Sequence, residues 1–174
     1  VKSYPQGDDR VIHVNQPKIS LDIDDVCADF LGYFSKRFNT TLNPYWNGSY
    51  QMKEMLDQVK DDKDFWVNLP VLNRPPFECN LYVSSRSIPE EWTIEWLQKN
   101  GFPCAPVVHV PWNTSKIKVL KEHGIDIHVD DKIDNYRECI REGIFCYLVT
   151  APHNTYLDVG TRRINSLLDL KGIK

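Results

Sequence analysis

Five short apolar runs, each followed by a polar or amphipathic stretch, constrain this chain more than any other feature. Residues 19–23, 81–83, 106–110, 125–129 and 144–149 have the length and β-branched or aromatic content of strands. Residues 144–149 are apolar throughout, as expected of a central strand covered on both faces. Helical patterns lie between the runs. In residues 89–100 Trp92 and Trp96 stand four apart and Gly101 follows. In residues 115–123 Ile117 and Leu120 stand three apart before Gly124, and in residues 133–142 Ile133, Tyr136 and Ile140 share a face before Gly143. Strands alternating with helices of this length predict right-handed βαβ crossovers, hence an α/β fold with a parallel sheet and helices on both faces. At 174 residues, 41% of them hydrophobic and 26% charged, the chain is long enough for one well-cored domain.

One stretch breaks the alternation. Residues 28–77 contain no convincing strand. Phe30, Phe34 and Phe38 recur every fourth residue, which predicts a helix leaving the first strand. Tyr45, Trp46, Tyr50, Phe65 and Trp66 follow among Asn, Asp and Lys. The expectation is a small helical cap at 28–77, inserted after the first core strand, with the core formed by residues 18–27 and 78–174. Residues 1–17, with Pro5, Gly7 and Pro17, are expected as an irregular arm carrying a short strand near 11–14.

Charge and cysteine usage exclude several function classes. A net charge of −3 and a pI of about 5.9 disfavour a broadly basic nucleic-acid binder, so no stable nucleic-acid partner is expected. No apolar run approaches the roughly 20 residues of a membrane span, and no signal-peptide pattern opens the chain; no membrane association is expected. The sequence begins at Val1 without an initiator Met, as a trimmed or processed form does. Cys27, Cys79, Cys104, Cys139 and Cys146 are odd in number and none pairs in a C-x-x-C spacing. They read as reduced thiols in a cytoplasmic setting.

In a parallel α/β sheet, ligands bind beyond the carboxyl ends of the strands. Asp22, Asp24 and Asp25 follow the first strand; Ser84, Ser85 and Arg86 follow the second. Lys116 opens the helix after the third, and Asp130 and Asp131 follow the fourth. Taken singly, these have ordinary readings: a D-x-D turn, an N-cap, a surface lysine. Their order, each after its own strand, points to chemistry. Carboxylates from two loops make an all-oxygen site for a hard cation, with Mg²⁺ the expected ion. A hydroxyl and an ammonium can hold phosphoryl oxygens, and a carboxylate can attack phosphorus.

The segment Leu21-Asp22-Ile23-Asp24-Asp25-Val26 resembles the first motif of the haloacid dehalogenase superfamily of phosphotransferases, and Val83-Ser84 resembles its second. Lys116, eight residues before Gly124, resembles the third, and Val129-Asp130-Asp131 the fourth. The resemblance spans residues 18–150 and implies a Rossmann-like core. A narrower likeness is to the 5'(3')-deoxyribonucleotidases of that superfamily. It rests on Thr150-Ala151-Pro152-His153-Asn154, on the segment from Arg162 to Ser166, and on Asp64-Phe65-Trp66 before Leu69-Pro70. Arg86 stands where the mammalian-type members carry Pro, and the cap is shorter than theirs.

The resemblance implies Asp22 as nucleophile and Asp24 as general acid and then base. It implies Mg²⁺ held by the carboxylates of Asp22 and Asp130 and the backbone carbonyl of Asp24. Asp131 is expected as a further ligand through water or as a group orienting Lys116. Ser84 and Lys116 are expected on the phosphoryl group, assisted by Ser85. Arg86 is expected to touch substrate or to form a surface ion pair. Tyr45, Trp46, Tyr50, Phe65 and Trp66 are candidates to stack a nucleobase, the alternative being the cap's own small core. His153 and Asn154 are expected to order the last loop, and the other histidines are too scattered for a metal cluster. The expected activity is Mg²⁺-dependent hydrolysis of a small phosphomonoester, a deoxynucleoside monophosphate, by a protein whose relatives are often dimers. The alternatives are a nucleic-acid 3'-phosphate or a sugar phosphate as substrate, transfer to an acceptor other than water, and a binding protein without turnover.

Overall fold

The computed structural model of the chain describes residues 16–41 and 50–172, and within them each of the five apolar runs becomes a strand of one sheet. The strands are β1 (Ile19–Leu21), β2 (Leu81–Ser84), β3 (Val107–His109), β4 (Ile127–Asp130) and β5 (Phe145–Val149). A sixth, β6 (Arg163–Ile164), has no apolar run to announce it; it is two residues long and begins at an arginine. All five pairings are parallel, in the order β3-β2-β1-β4-β5-β6. The strand expected near 11–14 lies outside the described residues, as do Tyr45 and Trp46. No helix among the described residues is long and apolar enough to cross a membrane.

Alternation along each strand divides the side chains between two apolar layers. Ile19 and Leu21 of β1, Tyr82 of β2 and Val129 of β4 enter one cluster. Leu81 and Val83 of β2 and Cys146 of β5 enter the other. The helices follow the same division. Helix α1 (Phe30–Phe38) and helix α4 (Glu90–Lys99) place Phe30, Phe34, Trp96 and Leu97 in the first layer. Helix α5 (Ile117–Glu122) and helix α6 (Ile133–Arg141) place Leu120 and Cys139 in the second. The chain thus winds outward from β1 on one face, then crosses to the far side of β1 and winds outward on the other.

The insertion carries α1, α2 (Tyr50–Val59) and α3 (Lys63–Val67). It does not build a core of its own. Phe65 and Trp66 are buried with Phe30 and Phe34, at ring separations of 5.4–6.1 Å, in the layer that also holds Leu21 and Tyr82. The expected base-stacking role is therefore corrected for Phe65 and Trp66: both are core side chains without a free face. The Trp66 indole N–H donates to the carbonyl of Val59 at 2.8 Å, which ties α3 to the end of α2. Trp96 of α4 does the same across the boundary, donating to the carbonyl of Leu69 at 2.7 Å.

Because the insertion and the sheet share one apolar layer, Phe65→Ala is expected to cost about 3–5 kcal/mol of global stability. Denaturant unfolding followed by tryptophan fluorescence and by far-UV circular dichroism should give coincident single transitions. A separate early transition in fluorescence would show an independently cored insertion.

Candidate functional site

The strand order reverses its direction of growth between β1 and β4, and a doubly wound sheet opens a crevice at that switch point, beyond the carboxyl ends of the strands. Asp22 stands one residue past β1, its N–H bonded to the carbonyl of Val129 at 2.9 Å; Asp130 is the last residue of β4. Neighbouring parallel strands thus deliver two carboxylates to one place.

Lys116 holds them together. Its ammonium lies 2.7 Å from Asp22 Oδ1 and 2.8 Å from Asp130 Oδ2, and all three side chains are buried. Burial alone lowers a lysine pKa, but Asp130 and Asp22 together outweigh that and raise it, so the ammonium stays charged. Burial pushes the Asp130 carboxyl upward; Lys116 and His128 overcome this and hold it well below the usual carboxylate range. Asp130 also accepts from Asn135 at 2.9 Å and from the backbone N–H of Lys132 at 2.8 Å.

His128 lies two residues before Asp130 on the same strand face, with Nε2 3.0 Å from Asp130 Oδ2 and Nδ1 2.8 Å from Ser20 Oγ. Burial lowers the His128 pKa, so the ring is neutral. An ionised carboxylate can only accept, so Nε2 carries the proton and the Ser20 hydroxyl donates to Nδ1. Residues 20, 22, 128 and 130 form one polar patch on two adjacent strands, readable from i, i+2 spacing once the strands are paired. In sequence His128 belongs to no metal-ligand spacing, and only its place two residues before Asp130 on the same strand face marks it as a support for that carboxylate.

Asp22 carries the opposite tension to Asp130. Burial raises its pKa; Lys116 lowers it, but Asp130, Asp131 and Asp24 raise it further, and the result lies well above the usual value. Its buried Oδ1 has no hydrogen-bond donor besides the ammonium. Asp131 is corrected from its expected role of orienting Lys116: its carboxylate pairs instead with His153 Nε2 at 2.8 Å. Asn154 donates to the Asp131 carbonyl at 2.7 Å, so the His153-Asn154 loop does order this edge of the site. Carboxylate oxygens of Asp22, Asp130 and Asp131 lie within 4.8 Å of one another. A dication fits this set: three buried oxygen donors converge, and a single ammonium leaves them in excess negative charge.

Asp24 lies across the cleft and is held differently. Arg86 grips it as a fork, Nη2 at 2.6 Å from Oδ1 and Nε at 2.9 Å from Oδ2, and the Ser84 hydroxyl donates to Oδ2 at 3.3 Å. Arg86 is buried, donates to Thr93 Oγ1 at 2.8 Å and lies over the Trp66 ring at 4.8 Å. Neither expected role of Arg86, substrate contact or surface ion pair, fits; it is an interior clamp on Asp24. Asp25 adopts φ +59°, which Asp tolerates, and its carboxylate accepts from the Leu31 N–H at 3.0 Å, joining the loop to α1. Burial, then Asp131, raises its pKa.

These groups surround a cleft of about 250 Å³. Asp22, Asp24, Ser84, Ser85, Lys116 and Asp131 line its inner end. Its lining also includes Phe30, Met52, Leu56, Trp112, Tyr156 and Arg137, none of them a candidate site residue in the sequence. Trp112 stands four residues before Lys116, and Tyr156 three after His153; proximity to those two motifs was the available signal. Tyr50 opens α2.

The chain matches no protein-family model, and no curated protein matches it.

Mg²⁺ is expected to raise the melting temperature, equivalent to about 2.7 kcal/mol at 100 times its dissociation constant, with EDTA reversing the gain. Asp131→Asn, which leaves Lys116 paired with Asp22 and Asp130, should lose most of that gain. A thermal-shift titration measures both, and an undiminished shift in the variant would remove Asp131 from the metal site.

Proposed function

We propose that this protein is a Mg²⁺-dependent phosphomonoesterase of the haloacid dehalogenase type, cleaving deoxynucleoside monophosphates through an aspartyl-phosphate. The observation that carries the reading is the meeting of Asp22, Lys116, Asp130 and Asp131 at the switch point of the sheet, with Asp24 facing the same cleft. The sequence motifs and this arrangement support one another, since the four motifs stand at or after four different strands.

Asp22, Asp130 and Asp131 would hold the ion. When bound, Mg²⁺ supplies charge neutralisation between the carboxylates and the phosphoryl oxygens. Asp22 attacks phosphorus with a carboxylate oxygen, and the bond from phosphorus to the leaving oxygen breaks. Lys116 opposes the burial that raises the Asp22 pKa and, with Ser84 and Ser85, faces the charge that builds on the phosphoryl group. Asp24 gives a proton to the leaving alkoxide. It then takes one from the water that attacks the aspartyl-phosphate, which releases phosphate and restores Asp22. To carry that proton, the grip of Arg86 on Asp24 must loosen, because a neutral carboxyl is a weaker acceptor for the guanidinium fork than a carboxylate.

The apolar part of the lining supports a nucleobase in the leaving group, with Trp112 and Tyr156 taking the place expected for Phe65 and Trp66.

Phosphate release is to be measured on deoxynucleoside and ribonucleoside monophosphates, sugar phosphates and a 3'-phosphorylated oligonucleotide, with Mg²⁺ and with EDTA. The expected result is Mg²⁺-dependent release favouring deoxynucleotides, abolished in Asp22→Asn and lowered about 10²–10⁴-fold in Asp24→Asn. Release from sugar phosphates alone would overturn the substrate class, and release undiminished in Asp22→Asn would overturn the mechanism.

A further inference from the structure

The cleft borders a second, polar hollow of about 350 Å³, and the two share Lys132, Asp134, Asn135 and Arg137 in their lining. The inner end is crowded with carboxylates. The junction with the second hollow differs, because its cations have no carboxylate partner among the described residues. Among the described residues, neither the Lys132 ammonium nor the Arg137 guanidinium has a carboxylate within ion-pair distance, in contrast to Lys116 and Arg86. Arg141 adds a third cation further out. Two carboxylates also line the hollow. Asp134 lies in the first turn of α6, and Glu138 is occupied by the Ser115 hydroxyl, which donates to it at 2.7 Å. The outer hollow therefore carries a small positive excess.

The position of these cations is fixed by the site itself. The Lys132 backbone N–H is bonded to Asp130, so its side chain starts from the edge of the catalytic cluster. Its ammonium lies 5.1 Å from the centre of the Trp112 ring. Arg137 follows five residues later on α6, about 7.5 Å further along the helix axis. The lining shared by the two hollows thus carries two cations without a carboxylate partner, one of them over the Trp112 ring.

We propose that Lys132 and Arg137 form a seat for a second phosphate, so that the substrate is a nucleoside bisphosphate: one phosphate at Asp22, the base beside Trp112, the other phosphate between the two cations. This rests on the phosphatase reading and names its substrate class. The guanidinium fork suits a phosphate, and a charge-assisted contact of this kind contributes about tenfold or more in affinity.

The test is titration calorimetry of the Asp22→Asn protein with a deoxynucleoside 3',5'-bisphosphate and its two matching monophosphates. The wild-type chain in EDTA is run in parallel, in case the substitution disturbs the fold. The bisphosphate is expected to bind about tenfold more tightly than either monophosphate, with the margin shrinking as salt rises. Arg137→Gln, an exposed position, should bring the three ligands within about twofold of one another. Equal affinities, a preference that survives both Arg137→Gln and Lys132→Gln, or no binding in either form would overturn the seat. Wild-type turnover separates this from the parent reading. Hydrolysis of mono- and bisphosphates at equal rates, indifferent to Arg137, keeps the phosphatase and removes the seat. Arg137-dependent binding without turnover keeps the seat and removes the phosphatase.

Discussion

The site depends on one buried ammonium. Lys116 lies between Asp22 and Asp130, and without it two carboxylates on adjacent strands would face each other in a region from which water is excluded. Removing one partner of such an arrangement costs several kcal/mol, because the remaining charges stay buried and unpaired. The lysine therefore does more than attract a ligand. It allows β1 and β4, the two strands at the centre of the sheet, to end in acidic residues at all. The cluster still carries more negative charge than Lys116 can offset, and a dication suits that remainder.

The two carboxylates given opposite roles in the proposed reaction are held by different parts of the fold. Asp22 and Asp130 belong to the sheet and are fixed by strand pairing. Asp24 is fixed by Arg86, which is held in turn by Thr93 of α4 and stacked on Trp66 of the insertion. The helical insertion thus reaches the site from beneath, through a buried cation and an aromatic ring. A change in the packing of α3 would be felt at Asp24 before it was felt at Asp22. Residues 28–77 act here through the position of an acid as well as through the walls of the cleft.

Much of this was legible in the sequence. The five apolar runs gave the main strands to within two residues at each end, because a buried parallel strand has few ways to be written. The site residues of the core followed from asking what stands after each strand. Two classes of feature were not legible. Strand β6 is too short and too polar to signal itself; it exists because Arg163 and Ile164 find partners in Leu148 and Val149. The aromatic residues of the insertion could not be sorted into core and wall, since Phe65 and Trp66 carry the same local pattern whether a neighbouring helix covers them or not. Only the tertiary placement of α1 and α4 decides that both are covered.

Arg86 shows why spacing alone misassigns a charged residue. Two positions past Ser84, it stands where a cation would meet a phosphate, and in sequence that is its strongest feature. Its true environment is set by residues far along the chain: Asp24 sixty-two positions before, Trp66 from the insertion, Thr93 on the next helix. A guanidinium satisfied on three sides has nothing left to offer a ligand. Lys132 and Arg137 present the converse case. They look like ordinary solvated charges on a helix, and what distinguishes them is that the cleft opens beside them while no carboxylate among the described residues takes them up. Which cations a site can use is a question of which ones the fold has left uncommitted, and that is settled by three-dimensional bookkeeping of charge and not by distance along the chain.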